Sequence, residues 1–381
     1  MVVWGVIGAA LVFQLAQMAS ADPIKDGAAP QWFYWAGVPG MAVLAGVAIW
    51  RRGAIYLLIV AHLVIGVALL RQSPDPDIDV YHVTRDSCLA MSRGVDPYSI
   101  TFERVYKNNP EWEREFYPAG FIVGDRTDFG YPYMPLSFMA DYSAQVLTGD
   151  FRMAHLVAID VAAALLASMS GPFAAAGAVV LLLTPRVFYV VEYAWAEPIV
   201  VVCLAWVVWC AWRKSTWLAY ATGLLLVSKQ HMVLVAPMIL FLLPRPLEWR
   251  SSISFMARAA VTGLVVTLPL VLWNWHAFYH SAVELQIKNP FRSDSLNFAA
   301  MLDRDGHGEI PNWVSFGAAL AAVMLALWRL PRTPAAFAAG VGGVYLAFFV
   351  LAKQAFCNYY FLIIGALCCA IAATCPQRSE Q

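Results

Sequence analysis

Charge is what this sequence lacks. Only 13% of its 381 residues are Asp, Glu, Lys or Arg, about half the share of an ordinary soluble domain. The 25 basic and 25 acidic residues cancel, which excludes a nucleic-acid binder working through bulk positive charge. Disorder needs low hydrophobicity and high net charge; a chain that is 61% hydrophobic and formally neutral has neither. Cysteine is sparse and unpatterned. The seven (Cys88, Cys203, Cys210, Cys357, Cys368, Cys369 and Cys375) form an odd set without a Cys-x-x-Cys, which argues against a disulfide framework or a zinc site. Most lie in or beside apolar segments, where cysteine is a small buried hydrophobe. Internal repeats, low-complexity stretches and the inverted pair of interrupted helices that marks many transporters are missing too.

What the chain has is apolar length. Blocks of about 17–20 residues, enough to cross roughly 30 Å of hydrocarbon, exclude a soluble enzyme. The reading is an all-α polytopic membrane protein, one integral-membrane domain over 1–381, with about 11–13 transmembrane helices. Spans are expected near 3–19, 33–50, 53–70, 131–148, 153–170, 196–212, 214–228, 231–243, 258–274, 313–329, 335–352 and 357–374. The first run has no basic residue before it, unlike a cleaved signal peptide, and is read as a retained span.

Charge placement gives topology, because Lys and Arg gather in cytoplasmic connections. The short connections hold Arg51, Arg52, Arg152, Arg213, Lys214, Arg245, Arg250, Arg258, Arg329, Arg332 and Arg378 against Asp150, Glu248 and Glu380. The long connections reverse the balance: 72–130 holds 11 acidic and six basic residues, and 274–312 five and three. Both long loops are therefore expected outside and both termini inside. A chain with its polar residues on one face is expected to work on that face. Between Arg152 and Arg213 an even number of crossings is required, yet two full spans and one short one are visible. A half-span or broken helix is expected over 171–195, where Pro185, Arg186 and Glu192 follow a short apolar run. Such backbone persists at membrane depth only buried in protein or lining a polar cavity.

The first long loop opens Ser73-Pro-Asp-Pro-Asp77-Ile-Asp79-Val-Tyr81. A helix is expected from about Asp79 to Arg93, ending at Gly94 as its C′ residue. Asp is a favoured N-cap, but one cap suffices. The second acid points to a general base or a metal ligand at the membrane surface, where partial screening from water raises a carboxylate's pKa toward a value useful for a base. Asp141 and Asp160 lie within spans, where a charge costs at least about 2.5–3.5 kcal/mol; they read as structural acids pairing across a helix interface. Glu192 and Glu197 flank Trp195 and could meet hydroxyl groups or a metal, with Tyr189, Tyr193 and Trp195 as stacking surfaces or an interfacial belt. Asp303-Arg-Asp-Gly-His-Gly-Glu309 fails the EF-hand spacing, so no metal is placed there.

Asp77-Ile-Asp-Val-Tyr81, Gly94-Val-Asp-Pro-Tyr98 and Tyr131-Pro-Tyr-Met-Pro135, in that order, resemble the GT-C glycosyltransferases. The nearest branch holds mycobacterial polyprenyl-phosphate mannosyltransferases and arabinofuranosyltransferases. The likeness continues at Ser228-Lys-Gln-His231, Lys353-Gln354 and Asn358-Tyr-Tyr360 and covers about 53 to 365. A departure follows the broken stretch: relatives often carry Gly-Gln where this chain has Ala196-Glu197. The resemblance implies a GT-C fold with two large extracytoplasmic loops in the plasma membrane. It implies a polyprenyl-phosphate sugar as donor, mannose or arabinofuranose foremost, and a glycolipid or polysaccharide hydroxyl as acceptor. Asp77 matches the family's base, with Asp79 assisting. The phosphate needs cations near the outer boundary, for which Arg186, Lys229, His231, Lys288, Arg292 and Lys353 are candidates; Tyr81, Tyr131, Glu197 and Asn358 complete the expected substrate contacts. No cofactor is required, although clustered acids leave room for a divalent metal. The segment Gln286–Asn297 reads as a lid. The competing readings are a transporter or lipid flippase, and a non-catalytic partner in envelope synthesis.

Overall fold

A computed structural model of the chain describes residues 2–20, 30–243 and 248–374. Cys375, Arg245, Arg378 and Glu380 lie outside the described residues. Helices carry nearly all of the regular structure. The first three are α1 (Val2–Ser20), α2 (Val38–Trp50, entered through a π-turn at Phe33–Gly37) and α3 (Ile55–Leu70). Helices α2 and α3 are apolar on every face, the pattern of a helix with no water side. The first long loop follows and carries α4 (Asp79–Ser92) and α5 (Pro110–Phe116). It also holds the only sheet among the described residues, three two-residue antiparallel strands: β1 (Phe102–Glu103), β2 (Ile122–Val123) and β3 (Arg126–Thr127), in the order β1-β3-β2. In register, Thr127 faces both Phe102 and Ile122.

Helix α4 keeps the expected bounds. Ile78 is extended before it, and Gly94 takes the positive φ of +72° just past its end, where a residue with Cβ would be strained. Next come α6 (Pro135–Thr148), α7 (Met153–Ala167), α8 (Ala174–Leu182), α9 (Val187–Glu192), α10 (Glu197–Arg213) and α11 (Leu218–Leu226). The break expected in 171–195 lies between α8 and α9. Pro185 lacks the N–H that would continue the ladder, and Arg186 turns to φ +61°. A 3₁₀ helix, Gln230–Phe241, interrupted by Pro237, leads to α12 (Trp249–Trp273). The second long loop holds the short helices α13 (Trp275–Phe278), α14 (Leu285–Lys288, after a π-turn at Tyr279–Glu284) and α15 (Phe298–Arg304). Helices α16 (Asn312–Arg329), α17 (Pro334–Phe349) and α18 (Cys357–Ala372) close the chain.

Among the described residues, four stretches are long and apolar enough to cross a membrane: Phe33–Trp50, Arg52–Leu70, Trp249–Trp273 and Asn312–Arg329. Among the shorter apolar helices are Met153–Ala167, Gln230–Phe241, Pro334–Phe349 and Cys357–Ala372. Some expected spans come out shorter. The stretch 131–148 is helical only from Pro135, whose fixed φ and missing N–H suit a first helical turn. The stretch 214–228 yields nine helical residues. The apolar stretch at 258–274 instead belongs to a longer helix of 25 residues that begins at Trp249.

Helices α7 and α10 lie side by side at the centre, with α3, α6 and α8 against α7, and α11, α17 and α18 against α10. The acids in α6 and α7 pair across helix interfaces, as their isolation in apolar sequence implied. His155 Nε2 lies 2.7 Å from Asp141 Oδ1, and His62 Nδ1 lies 2.8 Å from Asp160 Oδ1. The first loop has its own aromatic core of Phe102, Tyr106, Tyr117, Phe121 and Phe129, into which Leu285 of the second loop inserts. The two loops are sewn together elsewhere as well. Ser281 donates to Tyr98 O (2.8 Å) and accepts from Gly130 N (2.8 Å), and the His280 ring stacks on Phe121 with centroids 4.6 Å apart. Gly130 is required at this seam. A Cβ there would stand 2.5 Å from Pro97 O and 2.6 Å from Tyr98 O.

Candidate functional site

Where the two long loops meet the apolar helices they enclose a cavity of about 790 Å³, within the range of a small-molecule site. Four segments build its polar walls: the entry to α4 (Asp77 and Asp79), the turn into the 3₁₀ helix (Lys229 to His231), the strand-like run after α14 (Asn289 to Asp294) and the connection from α17 to α18 (Ala352 to Tyr359). Val233, Leu234, Phe316 and Phe348 continue the lining along the 3₁₀ helix, α16 and α17. Aromatic rings cover much of the remainder, with Tyr106, Trp112 and Phe116 beside the acids and Tyr189, Tyr193 and Trp195 on the broken stretch. The last three are mutually packed, with centroids 4.2–5.7 Å apart. The region 171–195 thus borders the cavity through Tyr189 of α9 and through Tyr193 and Trp195 after it, rather than through the break itself.

The two acids differ in surroundings. Asp77 stands exposed at the rim. Asp79 is half-buried at the first turn of α4, where Oδ1 accepts from Val80 N at 2.8 Å and lies 3.4 Å from the Tyr106 hydroxyl. Burial pushes its carboxyl pKa above the ordinary value, against the opposing pull of the Val80 N–H, the Arg292 charge and Tyr106. Tyr106 is itself held well above its usual pKa by burial and by the Asp79 charge, so it stays a neutral donor. Tyr106 carried no sequence signal. It sits among charged loop residues, and its reach to Asp79 exists only once the small sheet and α5 have folded.

The expected cations are used in different ways. Arg292 is 7% exposed, and its guanidinium lies 3.5 Å from the centroid of Phe116 and 4.9 Å from that of Phe356. Nε and Nη2 grip Asp294 at 2.8 and 2.7 Å, while Nη1 has no protein partner among the described residues. Lys229 is 6% exposed and ion-paired with Glu197, with Nζ 5.0 and 5.4 Å from the rings of Tyr133 and Tyr359. Lys353 lines the wall but directs all three of its N–H donors to backbone: Gln286 O at 3.1 Å, Ile287 O at 3.0 Å and Asn289 O at 2.6 Å. It ties the α17–α18 connection to the end of α14 and holds no donor in reserve for a ligand. Arg292 N–H to Lys353 O (3.0 Å) adds to the same tie.

Of the expected site residues, the cavity thus brings together Asp77, Asp79, Lys229, His231, Arg292, Lys353 and Asn358, with Glu197 directly behind Lys229. Four lie off its wall. The Tyr81 hydroxyl donates to Pro74 O at 2.6 Å under the Arg152 guanidinium, and the Tyr131 hydroxyl to Asp141 Oδ2 at 2.6 Å. Arg186 is exposed beside Tyr189, and Lys288 pairs with Glu284 at 2.6 Å. Both tyrosines brace the loops against the helices. Glu192 likewise takes a structural partner, accepting from the Ser73 hydroxyl at 2.6 Å. No cluster among the described residues has the make-up of a metal site. Comparisons with protein-family models, curated proteins and solved structures find no match to this chain.

Proposed function

We propose that the chain is an integral-membrane glycosyltransferase of the GT-C type, working on the non-cytoplasmic face. It moves a sugar from a polyprenyl phosphate to a hydroxyl of a lipid or glycan acceptor. The observation that carries this is the pairing, in one cavity, of a half-buried carboxylate of raised pKa with a desolvated guanidinium. Both sit where a polar chamber under two loops continues along apolar helix surface. A donor with a charged head and a lipid tail needs that combination, and a soluble sugar nucleotide does not.

In this mechanism Asp79 removes the proton of the acceptor hydroxyl. The acceptor oxygen bonds to the anomeric carbon as the bond from that carbon to the phosphate oxygen breaks, and the electron pair leaves with the polyprenyl phosphate. The configuration inverts. A base of raised pKa accepts a proton at neutral pH better than an ordinary carboxylate does. We assign the base to Asp79 rather than Asp77, because only Asp79 has the burial and the Tyr106 contact that tune it. Arg292 offers Nη1 to the leaving phosphate from a stacked, nearly dry position where its charge is weakly screened.

The test uses purified protein in lipid nanodiscs, a panel of radiolabelled polyprenyl-phosphate sugars, and a crude envelope-lipid acceptor. Transfer that disappears in Asp79→Ala/Asp77→Ala is the expected result. Folded protein that neither transfers nor hydrolyses any donor would turn the reading toward transport.

A further inference from the structure

One part of the cavity wall carries polar side-chain atoms that meet no protein partner. Asn358 is 4% exposed, lines the wall, and its Oδ1 meets no protein donor. His231 lines the same wall. Its Nδ1 lies 3.3 Å from the Tyr345 oxygen, and Tyr345 has only one hydroxyl proton, directed at His231 O (3.1 Å) or at the neighbouring Met232 sulfur. That proton can also turn to Nδ1, so the neutral ring leaves Nε2 either a bare acceptor or a lone N–H donor, and in both tautomers Nε2 has no partner. Behind Lys229, fully buried Glu197 uses Oε1 for the ion pair and leaves Oε2 without a partner. Buried polar atoms in folded proteins are nearly always satisfied, so two orphans on residues lining one cavity, with a third on the carboxylate behind Lys229, call for a ligand.

The chemistry of the three atoms selects that ligand. A phosphate presents acceptors only, so it would leave Asn358 Oδ1 and Glu197 Oε2 unmet. A hydroxyl donates and accepts, and several hydroxyls on one ring could satisfy Asn358, His231 and Glu197 while accepting from Lys229. The Tyr133 and Tyr359 rings beside Lys229 offer apolar faces for the ring's C–H groups. We infer that the pocket end formed by Lys229, His231, Asn358 and Glu197 is a subsite for a neutral sugar ring, and that the phosphate position lies apart from it at Arg292. This rests on the transferase reading only in naming the sugar as that of the donor or acceptor. It takes Lys229 and His231 away from the phosphate, where the resemblance had placed them.

The experiment uses the full chain in nanodiscs and two kinds of probe. Methyl glycosides of a hexopyranose and of a pentofuranose, at millimolar concentration, are followed by saturation-transfer difference NMR. A short-chain polyprenyl phosphate without sugar is titrated by calorimetry. Asn358→Leu and His231→Phe, each checked for unchanged thermal unfolding, are expected to weaken glycoside binding roughly tenfold by removing one hydrogen bond from a buried set. Both should leave polyprenyl-phosphate affinity unchanged, while Arg292→Met does the reverse. Two results would overturn the subsite: no glycoside signal in the folded wild type, or a signal undiminished in both folded variants. Polyprenyl-phosphate binding without a glycoside signal sinks the subsite and leaves the transferase reading standing. Glycoside binding without polyprenyl-phosphate binding keeps the subsite and removes the transferase reading.

Discussion

Replacing Asp79 by Asn changes little except the ability to hold a proton. The amide oxygen still accepts from Val80 N, and the side chain keeps its place beside Tyr106. A positioned general base contributes about 10²–10⁴-fold in rate, which at 1.36 kcal/mol per decade is about 2.7–5.4 kcal/mol of transition-state stabilisation. We expect Asp79→Asn to lower single-turnover transfer by that factor with little change in donor affinity. Stability should move the other way. Folding raises the Asp79 pKa, so the native state binds this proton more tightly than the unfolded chain does. Wild-type stability from this group is fully present below the ordinary carboxylate value of about 3.9 and is lost as pH rises through the raised folded value. Asp79→Asn lacks that loss, so its Tm should exceed that of the wild type at neutral pH. Wild-type kcat/KM should also fall on acidification at a pH above the range of a free carboxylate. Radiolabelled transfer in nanodiscs across pH, with thermal unfolding of both proteins, measures all three. The reasoning fails if Asp79→Asn keeps normal transfer, or if Asp77→Asn is the more damaging change.

Three further outcomes follow from the packing. Lys229→Met leaves Glu197 buried without its cation and should cost about 3–5 kcal/mol, much of it recovered in Lys229→Met/Glu197→Gln; denaturation of the four proteins in a cycle gives the coupling. Lys353→Met strands three carbonyls at the end of α14 and should cost about 1–3 kcal/mol of stability; polyprenyl-phosphate affinity, read by calorimetry, should hardly change. Gly130→Ala would press Cβ on Pro97 O and Tyr98 O and part the seam between the loops, which limited proteolysis within 98–130 and 281–286 would detect.

Hydropathy alone located the long helices, because a stretch such as 33–50 is apolar all round and admits no other packing. The bounds of α4 were equally legible: two prolines and an aspartate start it and a glycine stops it. The break near Pro185 lies in the expected stretch, but the crossing count behind it set Arg152 and the first long loop on opposite faces, whereas the Arg152 guanidinium donates to Leu70 O and Ser73 O at the start of that loop. Other features depend on distance in space. Nothing about His62 or His155 in an apolar run announces a partner, and the acid that each meets was readable only as an isolated charge. Lys353 reads as an anion binder or as a lysine snorkelling to the interface, and the end of α14 that occupies it lies more than 60 residues away. The 3₁₀ winding of Gln230–Phe241 also escaped the pattern, since an apolar run with one proline reads equally well as a kinked α-helix.

The two His–Asp pairs bear on how such a chain is made. Asp141 and His155 are 14 residues apart on the hairpin of α6 and α7, so they can leave the ribosome and enter the bilayer as one neutralised unit. Asp160 is different, because its partner His62 was synthesised 98 residues earlier. At about 5–20 residues per second, α3 waits on the order of 5–20 s before α7 brings the acid to it. Helix α7 thus depends for the partner of its single acid on a helix already in place, which fixes an order of assembly in which α3 comes first. A chain lacking residues up to the end of α3 should then fail at α7, far from the cut.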